Sequence, residues 1–438
     1  MTAQAWRIRP SPRLAGTLRV PGDKSVSHRA LLLGAVATAP LEVEGFLAGD
    51  DCIATRRAVE MLGAEVADLP GGGLRITPPE SLRAPSMPLD LGNAGTGIRL
   101  LCGLLAGQGI GAVLTGDASL RRRPMERVAE PLRLMGARIR TQDGCPPMTL
   151  EPSSALAGIR YELPVASAQV KSAILLAGMA AEGETAVFQP APTRDHTERL
   201  MAALGLPVSW GGWGARIDGG GRPEGGKVRV PGDFSSAAFF LVAGLLGAGD
   251  EPLRLDGVGV NPTRTGLLEI LAAMGGRIEQ EGLREEGGEP VADLLVWRSE
   301  LKGIDVPPEL VPLAIDEFPA LFVAAAAARG TTRVRGAAEL RVKESDRLAV
   351  MARNLAAVGV RVREQDDGIE IQGGRISGGQ VDAAGDHRVA MAFAAAAAAA
   401  GDDLVVSDVA NVATSFPGFE AAAAGLGLGV ETLPGAGE

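Results

Sequence analysis

The chain has 438 residues, with 43 Lys and Arg against 53 Asp and Glu and a formal charge of −10. That balance excludes a nucleic-acid coat or a basic membrane-surface protein, and 46% hydrophobic with 22% charged residues excludes a disordered chain. Sixty glycines beside 3% aromatics imply a small-residue core, closely packed helices and many strand-to-helix turns, hence an α/β fold.

The first 19 residues carry Arg7, Arg9, Arg13 and Arg19 without the apolar stretch of a signal peptide. The longest apolar run, Val389 to Ala400, has 12 residues, short of the roughly 20 that cross a bilayer. Cys52, Cys102 and Cys145 lack C-x-x-C spacing, so neither a disulfide framework nor a zinc knuckle is expected and a reducing cytoplasm is the natural compartment.

From here one pattern recurs six times. A short polar cluster opens an Ala/Leu-rich segment that is apolar on nearly all sides, which predicts a buried helix. In chain order these segments are DKSVSHRALLLGA from Asp23, GNAGTGIRLLCGLLA from Gly92, SAQVKSAILLAGMA from Ser167, DFSSAAFFLVAGLL from Asp233, DEFPALFVAAAAA from Asp316 and DHRVAMAFAAAAAAA from Asp386. About 40 residues after each, an amphipathic stretch ends on the word apolar-Gly-x-x-Val/Ile, with Gly63, Gly136, Gly205, Gly275, Gly359 and Gly427 spaced by 68 to 84 residues. Each unit predicts strand, buried helix, strand, outer helix and strand, with the glycine as the C′ cap of the outer helix. The word RVPGD occurs at 19 and again 210 residues later, at 229, and marks two crossovers. One domain is expected over 22–231, and a discontinuous second one over 1–21 with 232–438.

The polar clusters carry the chemistry. Free N–H groups at six buried helix starts, with cations beside them, suit a phosphate- or carboxylate-bearing ligand if the two domains face each other through these ends. Lys24, Ser25 and Arg29 can surround one oxyanion. The small residues Asn93 to Gly97, Gly95 among them, let backbone amides approach a ligand closely. Arg121, Arg122 and Arg123 precede Pro124 at an expected helix start, where the dipole disfavours cations and an anion would explain them. Ser167 and Gln169 offer neutral hydrogen-bonding groups suited to sugar-like hydroxyls, beside the cation of Lys171, and Arg194 lies in TRDHTER with Asp195, His196 and Glu198. Lys343, Glu344 and Arg347 stand at i, i+1 and i+4, while Asp316 and Arg388 each open an apolar helix; carboxylates among so many cations ionise readily and suit acid/base work on an anion. His28, His196 and His387 lack metal-ligand spacing, so structural hydrogen bonding is their expected role and no metal site is predicted. With no Walker A word and no strand-linked G-x-G-x-x-G, no nucleotide cofactor is indicated.

Together VPGDKSVSHRALLLGA, LGNAGTGIRLL, DASLRRRPM, SAQVKSAILLAG, TRDHTE, IDEFP, LRVKESDRL, GDHRVAMAF and ATSFPGF resemble the 5-enolpyruvylshikimate-3-phosphate synthases, in the family's order from about residue 6 to 430. The resemblance implies a cofactor-free, monomeric enzyme whose fold is an inverse α/β barrel of the enolpyruvyl transferase type, two pseudo-symmetric domains of three βαβαββ units each. It implies transfer of the enolpyruvyl group of phosphoenolpyruvate to the 5-hydroxyl of shikimate 3-phosphate, with glyphosate as a potential inhibitor and no nucleic-acid or membrane partner. By motif, Lys24, Ser25, Arg29, Ser167, Ala168, Gln169, Arg194, Asp316 and Lys343 would bind shikimate 3-phosphate. Lys24, Gly95, Arg123, Gln169, Arg347 and Arg388 would hold phosphoenolpyruvate. Asp316 would be the base for the 5-hydroxyl, and Glu344, assisted by Lys24, would protonate the methylene carbon. Departures from the family pattern are Thr414 and Ser415 where many members have Lys before Phe-Pro, Glu339 in place of Asn, and Leu100 in place of Pro. Gly95 is expected to leave room for glyphosate, a methyl there crowding the inhibitor more than the substrate.

Two other readings differ in chemistry. The enolpyruvyl transferase acting on UDP-N-acetylglucosamine uses a loop cysteine that DASLRRRP lacks. A non-catalytic phosphometabolite-binding protein, or an RNA 3′-phosphate cyclase relative, fits poorly with intact Asp316, Glu344 and Lys24 and with a single tyrosine, Tyr161.

Overall fold

Asp23 accepts a hydrogen bond from the Val26 amide and so starts helix α1, Lys24–Gly34, whose sequence has no polar face and whose residues are buried from Val26 onward. In the computed structural model, which describes residues 4–154 and 156–433, five more such helices follow: α2 Gly95–Gly107, α3 Ala168–Gly178, α4 Phe234–Gly247, α5 Phe318–Ala327 and α6 His387–Ala396. Ser167, Asp233 and Asp386 cap α3, α4 and α6 through their side chains, whereas Ala94 and Glu317 precede α2 and α5 without doing so.

All six expected cap glycines have positive φ, between 80° and 107°. At each, the glycine amide donates three residues back and the next amide five residues back, as in Gly63 to Glu60 and Ala64 to Val59 or Gly427 to Ala424 and Leu428 to Ala423. This is the Schellman arrangement, and it turns every outer helix directly into the following strand.

Each repeat contributes to one of six small sheets, five of four strands and one of three among the described residues. In the unit around α3, Arg160–Glu162 runs parallel to Glu184–Phe188, across the buried helix, and Gly214–Asp218 and Val208–Gly211 add an antiparallel hairpin. The sheet after α1 draws its parallel strand, Gly226–Arg229, from the far end of that half of the chain. Likewise the N-terminal strand Ala5–Arg9 lies between Leu404–Ser407 and Gly429–Leu433, antiparallel to both.

The chain divides into two compact units. The first takes the chain through Pro21, Gly232–Arg284 and the part from Pro290 onward; the second takes Gly22–Pro231 and Glu285–Glu289. The last five residues depart from the sequence reading, which kept them in the 232–438 segment. The reason is polar: Glu289, 2% exposed, accepts from His196 Nδ1 at 2.8 Å, and the Gly288 carbonyl accepts from Arg199. The outermost residues of the expected second domain, 1–3 and 434–438, lie outside the described residues.

Each unit has its own hydrophobic core. That of the second is mostly Ala, Leu and Val, with Ile and Met, around α1, α2 and α3; that of the first adds an aromatic cluster of Trp6, Phe240, Phe416 and Phe419. No helix among the described residues is long and apolar enough to cross a membrane. Burial pushes the Cys102 thiol up to about 12.

Close packing sets the residue size where α2 meets α3: a Cβ built on Gly103 would lie 2.2 Å from the Ala173 carbonyl oxygen. Helix propensity alone would make Gly103→Ala stabilising by about 1 kcal/mol. We expect instead a loss of about 3 kcal/mol from this backbone clash, larger than the roughly 1–2 kcal/mol for Gly136→Ala, where φ of +107° is the only obstacle. Urea unfolding of the two variants decides; a stabilised Gly103→Ala protein would contradict the packing argument.

Candidate active site

Because α1, α2 and α3 are buried along their length, their polar groups collect at the N-terminal ends. In the Gly22–Pro231 unit, Lys24 is partly exposed and its Nζ sits 3.0 Å from Asp51 Oδ2, contributed by the first turn of the helix Asp50–Met61. Ser25 is partly exposed beside it. Arg29 is 2% exposed and has donors on Thr197 Oγ1, the Ser25 carbonyl and Ser172 Oγ. Burial pulls its pKa down to about 10, against the carboxylates of Glu198 and Asp23. Glu198, fully buried, also pairs with the equally buried Lys171 at 2.8 Å.

Gln169, on the first turn of α3, is fixed at both ends of its amide: its oxygen accepts from Arg99 Nη1 at 2.7 Å and its nitrogen donates to Thr96 Oγ1 at 2.9 Å. Ser167 caps the same helix, and Ala168 is its first residue. The expected helix start at the arginine triplet is not there. Leu120–Arg122 is a short 3-10 helix and the α-helix begins at Glu126, so Arg121 turns to the Gly116 carbonyl and Arg123 to Asn93 Oδ1 at 2.8 Å. The Arg123 guanidinium also limits the space at Gly95, where an added Cβ would meet its Nη1 at 2.6 Å and Arg99 Nη1 at 3.1 Å. Arg194 is partly exposed, just before the helix His196–Ala203.

In the other unit the charges are denser. Asp316 precedes α5, and its Oδ1 lies 3.5 Å from Lys343 Nζ and 3.6 Å from Arg347 Nη1. Lys343 follows a short 3-10 helix, Ala338–Val342, and also pairs with Glu339 at 2.9 Å. Glu339, noted above as an Asn position in many relatives, thus shares this lysine with Asp316. Arg347, fully buried, opens the helix Arg347–Ala357 and donates to Glu344 Oε2 at 2.6 Å and to both oxygens of Asp386. Burial opposes its charge, yet Asp386 and then Glu344 raise its pKa above the usual arginine value. Burial likewise works against the Asp386 carboxylate, and the Arg347 guanidinium holds it below the usual range. Arg388 donates from Nη1 to the Asp316 carbonyl at 3.0 Å. Thr414 turns its hydroxyl onto the Asn411 carbonyl.

Sequence reasoning thus named the cations and missed most of what fixes them. Asp51, Thr55, Arg99, Asp386 and Glu317 are not among the site residues expected from the sequence, although an acid in the first turn of a helix is a visible signal for Asp51. Two of the three histidines take hydrogen-bonding places: His28 Nδ1 meets Thr55 Oγ1 and His196 meets Glu289.

The model of the EPSP synthase (3-phosphoshikimate 1-carboxyvinyltransferase) family matches residues 8–422. A 3-phosphoshikimate 1-carboxyvinyltransferase of Acidithiobacillus ferrooxidans is 56% identical over 428 residues, 97% of this chain and 98% of that protein. Its counterpart in Alkalilimnicola ehrlichii is 54% identical over 429 residues, 97% and 96% of the two chains. A solved EPSP synthase of Acinetobacter baumannii superposes with a TM-score of 0.89 at 47% identity, covering 98% of this chain and all of that one.

One consequence of burying α1 is a pH dependence. Burial, with Lys24 and Arg29 adding to it, lowers the His28 pKa from 6.5 to about 3. The unfolded chain therefore takes up a proton below pH 6.5 that the folded chain refuses until about pH 3, so stability falls as pH drops through that window. His28→Gln should remove about 3 kcal/mol of the loss between pH 7 and pH 4.5. Urea unfolding of both proteins at the two pH values checks this, and parallel pH slopes would exclude a neutral buried imidazole.

Proposed function

Because the chain belongs to the EPSP synthase family, the 3-phosphoshikimate 1-carboxyvinyltransferases, we propose that its two charged clusters carry out that family's reaction with divided roles. The enzyme is a transferase that moves the enolpyruvyl group of phosphoenolpyruvate to the 5-hydroxyl of shikimate 3-phosphate and releases phosphate. The observation that carries the division is the placement of Asp316 within 3.6 Å of two cations and of Glu344 on Arg347.

Asp316 takes the proton of the 5-hydroxyl as its oxygen bonds to the central carbon of phosphoenolpyruvate, and Glu344 delivers a proton to the methylene carbon. Phosphate then leaves the tetrahedral adduct and takes the hydroxyl proton from Asp316, while Glu344 recovers its own proton from the methyl group, so the enol ether is restored and both carboxyl groups return to their starting protonation. Lys343 lies beside Asp316 and binds shikimate 3-phosphate. Arg347 and Arg388 stabilise the carboxylate and phosphate charge of phosphoenolpyruvate and of the adduct.

The other cluster binds. Lys24, Ser25, Ser167, Ala168, Gln169 and Arg194 hold shikimate 3-phosphate, and Arg29, almost fully buried, belongs to that set chiefly by holding the Ser25 carbonyl and Ser172. Lys24, Gly95, Arg123 and Gln169 hold phosphoenolpyruvate. The same reading makes the protein a monomeric enzyme of the cytoplasm with glyphosate as an inhibitor.

Purified protein should release phosphate from phosphoenolpyruvate with shikimate 3-phosphate and not with UDP-N-acetylglucosamine, and Asp316→Asn should lower kcat by about 10²–10⁴. Silence with both acceptors would leave the binding-protein reading standing. For Gly95→Ala the first atoms met by the methyl belong to Arg123 and Arg99, not to a ligand, so the expected steric effect is indirect. The variant should raise the inhibition constant of glyphosate and the KM for phosphoenolpyruvate together; a change in neither would remove the steric argument.

A further inference from the structure

Glu317 is fully buried at the N-cap of α5 yet makes no capping bond. A glutamate side chain is long for that role, where Asp, Asn, Ser or Thr is preferred. Its Oε1 instead accepts from Ser235 Oγ and lies 3.6 Å from Arg264 Nη2 and 3.7 Å from Arg388 Nη1. Arg264 in turn pairs with Asp233 at 3.1 Å. Asp233, Arg264, Glu317 and Arg388 thus form a chain of alternating charge, each member at most 8% exposed. Removing one buried member leaves its neighbours uncompensated.

The far end of that chain has a definite geometry. Both contacts of the Arg388 side chain, to the Asp316 carbonyl and to Glu317, fall on Nη1. Among the described residues Nη2 and Nε make no hydrogen bond or ion pair within the protein. A guanidinium held at one corner presents its other edge as a two-donor fork of the kind that takes a carboxylate side-on. Glu317 also follows Asp316 directly, so the same anchor fixes the backbone from which the Asp316 carbonyl reaches Nη1.

We propose that Glu317 is a positioning residue: it pins one corner of Arg388 and so aims the Nη2 and Nε edge at the carboxylate of phosphoenolpyruvate. This rests on the functional reading above. The negative charge of Glu317 alone would weaken anion binding by Arg388, so a charge-only role and a positioning role predict opposite signs when it is neutralised.

The test is steady-state kinetics of the full chain with Glu317→Gln, nearly the same size and still an acceptor for Ser235. Positioning predicts a KM for phosphoenolpyruvate raised about tenfold, with the KM for shikimate 3-phosphate and kcat within about twofold and threefold of wild type. Ser235→Ala, which keeps the charge and removes the hydroxyl holding Oε1, should raise the same KM about threefold and serves if the first variant does not fold. A merely structural role would lower the melting temperature and the active fraction while leaving that KM unchanged. An unchanged or lowered KM for phosphoenolpyruvate in the folded variants of an active wild type overturns the inference alone. A wild type that releases no phosphate overturns the functional reading, and the inference falls with it.

Discussion

A helix that is apolar on every side can be buried along its length but not at its first turn, where amide groups have no intrahelical acceptor. Six such helices make up the interior of this protein, and the constraint dictates where its polar residues go. Side-chain caps from Asp23, Ser167, Asp233 and Asp386 satisfy four of the six starts. Acids in those places then draw cations: Arg264 to Asp233, and Arg347 to Asp386. Dense charge in the proposed active site is thus a product of how the core is built.

Buried charge is tolerable only when compensated. Arg347 meets Asp386, Glu344 and Asp316; Arg264 meets Asp233 and Glu317; Lys171 meets Glu198. Such groups have little freedom, and a cation that cannot move is pre-organised for an incoming anion at small reorganisation cost. By contrast Lys24, Ser25, Arg123, Arg194, Lys343 and Glu344 are partly exposed. They are the groups a ligand would meet first, and the buried ones hold them in place.

The outer helices show a complementary economy. One six-residue turn, repeated with a positive-φ glycine, sends each outer helix into its strand. Its geometry depends only on neighbouring residues, which explains why a short apolar-Gly-x-x-Val/Ile word marks it so reliably.

That locality divides what could be read from the chain. Buried helices, cap glycines and the six-fold repeat are properties of contiguous residues, visible as periodicity and as single-residue φ requirements. The cations of the site were visible for the same reason, as polar groups at the start of apolar runs. Partners were not: Asp51 reaches Lys24 across 27 residues, Asp386 reaches Arg347 across 39 and Glu317 reaches Ser235 across 82. Nor could the chain order show that Glu285–Glu289 would join the Gly22–Pro231 unit, or that Arg123 would be the first neighbour of a methyl at Gly95. Sequence by itself determined the elements, their repeat and the charges available, because these follow from local backbone and burial rules. Only the tertiary structure decided which charges meet, because the compensation of a buried ion is satisfied by whichever opposite group the fold brings within a few ångströms.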